Sequence, residues 1–218
     1  MEPWRLLQLA DSALPAGAFA HSGGLEAAHQ LGHLGDADGL RAFAEEALWA
    51  AGALSLPFLR AAHAEPGALA ALDARCDAAT PGLVANRASR AQGQAFLRAT
   101  GPLSAAVEAL GERVRRERLP GHLAPAFGAV LGLLGAEAQE AARLFLFAAG
   151  RGIVSAGVRL GLAGPLEAQG ILSRLGPVAE RVRERYRSAD PAEAAATSPL
   201  LDLLQAHQDR LYSRLFQS

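Results

Sequence analysis

The sequence contains no lysine: all 21 of its basic side chains are arginines. A phosphate-binding P-loop, a Schiff-base enzyme and a protein kinase each depend on a lysine, so these three classes are excluded. The arginines nearly balance 22 acidic residues, which leaves a net charge of -1. Because nucleic-acid binding needs a basic footprint, we expect no nucleic-acid partner.

Cysteine and β-branched residues are also scarce. Cys76 is the single cysteine, so an intrachain disulfide, a Cys-x-x-Cys motif and a cysteine-ligated zinc site are excluded. Only eight Val, two Ile and three Thr occur in 218 residues, whereas Ala and Leu dominate the 50% that is hydrophobic. Such a composition suits helices and lacks the residues of a large sheet. It predicts a globular all-α protein.

Long apolar runs are missing as well. Residues 144–163 come closest to the roughly 18 residues that a membrane span needs, but Arg151 and Arg159 interrupt them. Residues 1–5 lack the layout of a signal peptide. We therefore expect a cytoplasmic protein that has no membrane partner.

Proline and glycine divide residues 1–187 into segments with helical periodicity. We expect these residues to form one helical domain, a bundle of about ten helices to which a C-terminal amphipathic helix is tethered. Pro57 is expected to kink or split its helix. Residues 137–162 are the most apolar and are expected to form the central helix. The predicted helices cover residues 3–11, 23–34, 36–63, 67–79, 82–100, 102–118, 123–135, 137–162, 165–175 and 177–188, with an apolar loop at 11–20.

Residues 188–218 are predicted to be an appendage of the same domain. A small, polar tether at 188–198 is followed by a predicted amphipathic helix. Its stripe has spacings of 4, 3, 4 and 4 residues along Leu200, Leu204, His207, Leu211 and Leu215. A continuous apolar stripe must be covered, either by the protein's own core or by a partner.

Histidine and carboxylate side chains recur at helical spacing near the N-terminus. A helix would place Glu26, His29 and His33 on one face, where they could ligate zinc or nickel. The alternative is a polar outer stripe. His21 and Ser22 are adjacent but lack a nucleophile elbow, so we expect Ser22 to cap a helix and His21 to pack near the preceding loop. No catalytic or cofactor-binding residue is predicted.

Arginines cluster at residues 113–118 and at 181–187, interleaved with glutamates. These clusters are typical of solvated helix faces, with anion or RNA binding as the alternative. Two Gly-x-x-x-Gly pairs, at 128/132 and 157/161, are typical of close helix packing. Residue chemistry therefore favours a binding or scaffold role over an enzyme.

Five short motifs, in order along the chain, resemble those of the urease accessory protein F (UreF) family. The first is residues 14–26, LPAGAFAHSGGLE. The others are Ala88-Ser89 with Gln92-Gly93 and Ala95, His122 with Phe127-Gly128, Ser155-Ala156-x-Val158-Arg159-Leu160 with Gln169, and Tyr212 to Ser218.

The resemblance implies a non-catalytic maturation factor for urease, a nickel enzyme. Members of that family are all-α and tend to dimerise. They bind UreD (also called UreH) and with it recruit the GTPase UreG, so that nickel reaches apo-urease. By this resemblance nickel is handled by the complex, and we expect no tightly bound cofactor in this chain.

The same resemblance points to a partner-binding surface. The terminal helix and tail would dock with UreD, and Phe19, His21, Ser22 and Arg214 fall in motifs expected near that partner. We further expect Leu215 and Phe216 to flank Arg214 as an interface anchor. Two other hypotheses stay open: a small metal-dependent helical enzyme built on Glu26, His29 and His33, and a GTPase regulator unrelated to urease.

Overall fold

The computed structural model describes the backbone of all 218 residues and every side chain except that of Ala18. Ten α-helices are joined by short loops and 3₁₀ turns, and no strand occurs in the described chain, so the all-α prediction is confirmed. The helices are α1 (Pro3–Ala10), α2 (Leu25–Gln30), α3 (Ala37–Ala64), α4 (Leu69–Ala79), α5 (Leu83–Thr100), α6 (Ala105–Arg116), α7 (Leu123–Leu133), α8 (Ala138–Arg159), α9 (Pro165–Arg185) and α10 (Pro199–His207).

The longest helix, α3, is the hub of the bundle. It packs against α7, α8 and α9, and its buried face runs from Leu40 to Ala62. Every residue of α7 from Ala124 to Leu131 is buried. The prediction that α8 is the central helix was wrong, since Phe147 on α8 is 38% exposed. Apolar composition alone did not reveal which helix the others surround.

Glycine lets two helix backbones approach each other at the centre of this hub. A Cβ atom at Gly128 would overlap the carbonyl oxygen of Leu59, and one at Gly132 would overlap that of His63. Close packing is therefore confirmed for the first Gly-x-x-x-Gly pair. In the second pair only Gly157 is packed tightly, whereas Gly161 ends α8 with a φ of 76°.

Two prolines lie inside continuous helices, although a kink or a split was expected at Pro57 and a break between two helices at Pro177. Pro57 does not split α3, and Pro177 lies within a single α9 where two helices were predicted. A proline removes one helical hydrogen bond. Buried neighbours on both sides, such as Leu175 and Val178 on α9, hold each helix against the core and offset that loss.

The terminal segment folds back onto the bundle. α10 packs on α2 and α5, and a 3₁₀ turn at Gln208–Arg210 ends the helical structure. The predicted helix through Leu215 was therefore wrong beyond His207, and of the predicted stripe only Leu204 is fully buried. A cavity of 660 Å³ remains between α10 and the neighbouring α3 and α5.

One helix, α8, is long and apolar enough to cross a membrane by length and composition. Its most apolar 18-residue window has a mean hydropathy of 1.3 and is 56% buried inside the bundle. We expected no stretch of the sequence to reach this threshold, and that expectation was wrong. Two arginines within a window do not lower its mean hydropathy below the threshold. A buried core helix passes the same test.

Candidate functional site

The tail, residues 211–218, lies against the first sequence motif, residues 14–26. The Gln217 N–H donates to the Ala20 carbonyl at 2.7 Å, and the Ser22 N–H donates to the Ser218 carbonyl at 2.5 Å. The Ser22 hydroxyl donates to the same carbonyl at 2.8 Å. The first and last motifs of the sequence therefore form one structural unit, which we call the tail dock.

Side chains at the far end of the tail dock are enclosed. Ser22 and Ser218 are both buried, and His21 Nδ1 lies 2.8 Å from the Ser218 hydroxyl oxygen. Gly24 and not Ser22 is the N-cap residue of α2, but the Ser22 hydroxyl oxygen accepts the Glu26 N–H of the first turn at 3.4 Å, so the expected capping role is confirmed in part. Burial and the nearby Arg87 lower the pKa of His21, which favours the neutral imidazole.

Glu26 anchors the tail through its carboxylate. It is 1% exposed and accepts the Leu215 N–H at 2.7 Å and the Phe216 N–H at 3.1 Å. The Gln208 side-chain amide donates to it at 2.6 Å. A buried carboxylate is tolerated only when its oxygens are hydrogen-bonded, and the tail supplies those donors.

Glycine at position 24 is required for two reasons. Its φ of 91° lies in the left-handed region, and a Cβ there would meet the Gln205 backbone nitrogen at 3.0 Å. The Gly23-Gly24 pair of the motif thus turns the chain into α2 and lets α10 pack directly on it.

Arg159 on α8 contacts both the first motif and the tail. Its guanidinium carbon lies 3.9 Å from the centroid of the Phe19 ring and 4.1 Å from that of Phe216. It also donates to the Phe19 carbonyl at 2.6 Å. Phe216 is 4% exposed and Phe19 is 71% exposed. The Arg159 guanidinium therefore contacts one buried and one exposed aromatic ring.

The outer face of the tail carries the other predicted partner-binding residues. Arg214 pairs with Asp209 at 3.0 Å, and Asp209 pairs in turn with Arg87 on α5. Leu215 and Tyr212 are exposed apolar side chains. The structure thus brings together all six residues predicted from the sequence: Ser22 and Phe216 are buried, His21 is partly buried, and Phe19, Arg214 and Leu215 are exposed.

The predicted metal-ligand face does not form. α2 ends at Gln30, so His33 lies beyond the helix on the exposed turn that Gly32 makes, and Glu26 points to the tail. In the chain as described, no group of three or more His, Cys, Asp or Glu side chains could hold a metal ion. The helical geometry on which the metal-enzyme hypothesis depended was wrong, and so was the polar outer stripe, because Glu26 is buried.

A second polar network was not predicted from the sequence. His122, fully buried, contacts the Ser89 hydroxyl at 3.0 Å through Nδ1 and the Asp77 carboxylate at 2.9 Å through Nε2. Asp73 accepts the His122 and Gly121 N–H groups at 2.7 Å each. Ser89 also accepts the Leu123 N–H, so the serine–histidine–carboxylate chain fastens the start of α7 to α4 and α5.

Electrostatics within that network follow from burial. Burial raises the pKa of Asp73, against the effect of its two backbone hydrogen bonds. The Asn86 and His122 side chains hold the pKa of Asp77 below its usual value. Burial, with the Asp73 charge, also raises the pKa of Cys76 to about 12, which keeps this thiol protonated.

Comparison with known proteins places these features in a family. The family model for UreF matches residues 34–176. The chain belongs to the UreF family. The urease accessory protein F of Oryza sativa subsp. indica is 37% identical over 98% of this chain and 84% of its own length. That of Arabidopsis thaliana is 36% identical over 99% of this chain and 92% of its own length.

A bacterial relative extends the comparison. UreF of Mycobacterium tuberculosis (strain ATCC 25618 / H37Rv) is 32% identical over 98% of this chain and 97% of its own length. These pairwise matches reach into both terminal segments, whereas the UreF family model covers only the middle of the chain. The resemblance of the sequence motifs to the UreF family had singled out the two segments that form the tail dock. Only the structure shows that Glu26 and Arg159 hold them together.

Proposed function

We propose that this UreF family member is a non-catalytic adaptor that bridges UreD (UreH) and the GTPase UreG while nickel is inserted into apo-urease. In this proposal nickel is the cargo of the complex, and the chain itself holds no tightly bound cofactor. The protein works in the cytoplasm as a homodimer and modulates the GTPase cycle of UreG. GTP hydrolysis belongs to UreG, because a chain without lysine has no P-loop.

The observation that carries the proposal is the tail dock. Its interior is held by hydrogen bonds from the tail to Ser22 and Glu26, whereas its outer face leaves Phe19, Tyr212 and Leu215 exposed around Arg214. Aromatic and arginine side chains of this kind form the centres of protein interfaces, where they lose water on binding. We therefore assign the UreD contact to this face.

A cavity beside the tail dock suits the same role. It measures 450 Å³ and lies between the loop from Ala13 to Gly17, the exposed Phe19 and an aromatic cluster. In that cluster Phe127 stacks on Phe96 at 4.7 Å and meets Phe145 edge-on at 5.4 Å. A pocket with rigid aromatic walls can accept one apolar side chain of a partner.

Co-purification of the full-length chain with UreD and UreG tests the proposal. We expect the wild-type chain to capture both. Replacing Arg214 with Ala, or Tyr212 and Leu215 together with Ser, should weaken UreD capture at least about tenfold and lower urease activation. The matched control is Leu166→Ser, since Leu166 is 90% exposed on α9 and is not one of the tail-dock residues.

The outcomes separate the adaptor role from its assigned surface. If the tail variants capture UreD as well as the control does, the UreD contact lies outside the tail. Loss of UreD capture in a Phe19→Ser variant would then place the contact at the first motif. If the wild-type chain captures neither protein, the adaptor proposal is wrong. Light scattering of the purified chain tests the homodimer separately.

A further inference from the structure

A third cavity, of 320 Å³, lies between α5 and the end of α6. Its floor is apolar, formed by Leu97, Gly111, Val114 and Leu119. Four arginines stand around it: Arg90 and Arg98 from α5, and Arg115 and Arg118 from the end of α6 and the turn that follows. None of the residues that line this arginine pocket takes part in the tail dock.

These four arginines are exposed, and Arg90 lies near enough to Asp77 to help lower the pKa of that carboxyl. No carboxylate lines the pocket, and none of the four makes an ion pair within the described part of the chain. Their neighbours in the same cluster behave differently: Arg113 and Arg116 both pair with Glu117, at 3.1 and 3.3 Å. The arginine cluster at 113–118 is therefore divided between a solvated face and the rim of a cavity.

The backbone at Arg118 gives an independent observation. Its φ is 53°, and among the described residues it is the one non-glycine residue with a positive φ. The turns that end α2, α7 and α8 have the same left-handed geometry and use Gly32, Gly135 and Gly161 there. Arginine is strained at a position where glycine is free to adopt this conformation, so the chain keeps a guanidinium at a cost in stability.

We propose that the arginine pocket binds the oligophosphate group of a small molecule. Guanidinium groups match phosphate oxygens with paired N–H donors, and four of them balance the charge of a diphosphate or triphosphate. The volume is that of a small-molecule site. A net charge of -1 does not provide the extended basic surface that a nucleic acid needs.

Isothermal titration of the full-length protein with inorganic pyrophosphate, at about 150 mM salt to screen loose surface binding, tests this site. We expect saturable binding of one pyrophosphate per chain. Arg98→Gln and Arg115→Gln should each weaken it about tenfold. The control is Arg181→Gln, an exposed arginine on α9 that makes no ion pair in the described chain, and it should leave binding unchanged.

Arg118→Gly gives the sharpest result, because it should raise the melting temperature and weaken pyrophosphate binding about tenfold at once. A loss of binding through unfolding would instead lower the melting temperature. ADP binding with similar affinity would identify the diphosphate of a nucleotide, and its failure would identify free pyrophosphate. The proposal is overturned if wild-type protein binds no pyrophosphate, if citrate binds equally well, or if Arg181→Gln loses as much affinity as Arg115→Gln.

Discussion

Glu26→Gln tests the structure most directly, because this substitution keeps the shape of the side chain and removes one acceptor oxygen. Glu26 Oε1 accepts the Leu215 N–H, and Oε2 accepts the Phe216 N–H and the Gln208 amide. An amide nitrogen cannot accept either backbone N–H. At least one tail donor therefore loses its partner, and the remaining bonds lose the help of the negative charge.

The expected cost follows from these bonds. A hydrogen bond to a charged group contributes about 1.5–3 kcal/mol, and a buried donor left unpaired costs about 1–3 kcal/mol. For one lost and two weakened bonds we expect docking of the tail to lose about 2–4 kcal/mol. At about 1.4 kcal/mol per factor of ten, this lowers amide protection at Leu215 and Phe216 by about 30-fold to 700-fold.

Hydrogen exchange of residues 211–218 measures this loss, and trypsin cleavage after Arg210 and Arg214 reports the same opening. The control is Glu45→Gln, which removes a partly exposed i,i+4 ion pair with Arg41 and should cost no more than about 0.5 kcal/mol. Equal protection of the tail in wild type and Glu26→Gln would refute the role of this carboxylate as the anchor.

Three further outcomes follow from the packing and the pKa shifts. In urea unfolding, Gly128→Ala should destabilise the protein by about 1–3 kcal/mol because its Cβ overlaps the Leu59 carbonyl, whereas Gly152→Ala in open space on α8 should stabilise it by about 0.5–1 kcal/mol; similar effects at both sites would contradict the close α3–α7 contact. Burial lowers the pKa of His21 in the folded state, so the unfolded chain binds more protons below about pH 6.5. The melting temperature should therefore rise with pH up to about 6.5 and then level off, with a smaller rise in His21→Gln, and an identical profile would count against burial of this imidazole. Cys76, buried with a pKa of about 12, should react with a thiol reagent only after denaturation, and prompt labelling of the folded protein would disprove its burial.

Helix content could be read from the sequence because it depends on local properties. Alanine and leucine favour helices at every position they occupy, and glycine and proline mark many of the boundaries. The identity of the hub depended on contacts distant in sequence. α8 is strongly apolar, but α3 became the centre because Gly128 and Gly132 let α7 lie directly on it. The Gly-x-x-x-Gly spacing predicted close packing of α7 but not which helix it would pack against, because a spacing rule describes one helix at a time.

The candidate site shows the same division. Motif resemblance singled out both ends of the tail dock, including Phe19 and Phe216, because each motif is a local pattern. Glu26 was misread because its spacing to His33 assumes a helix that Gly32 ends early. A glutamate between Leu25 and Ala27 in an apolar stretch is itself a signal for a buried carboxylate. The partners that satisfy it come from nearly 190 residues away, where no periodicity extends.

The cavity beneath α10 has a consequence for how the molecule unfolds. A helix that borders an open groove of 660 Å³ leaves part of its inner face without packing partners and gains less dispersion energy than one packed at core density. Residues 199–218 can then open in a local step that costs only part of the global free energy, while α3 and α7 stay folded. The free energy of opening would therefore be low for residues 199–218 and high for the hub formed by α3 and its neighbours. A partner that binds only the closed tail raises the free energy of local opening and of global unfolding by the same amount, which is a larger fraction of the smaller value. Local tail protection is therefore a more sensitive measure of assembly than the melting temperature.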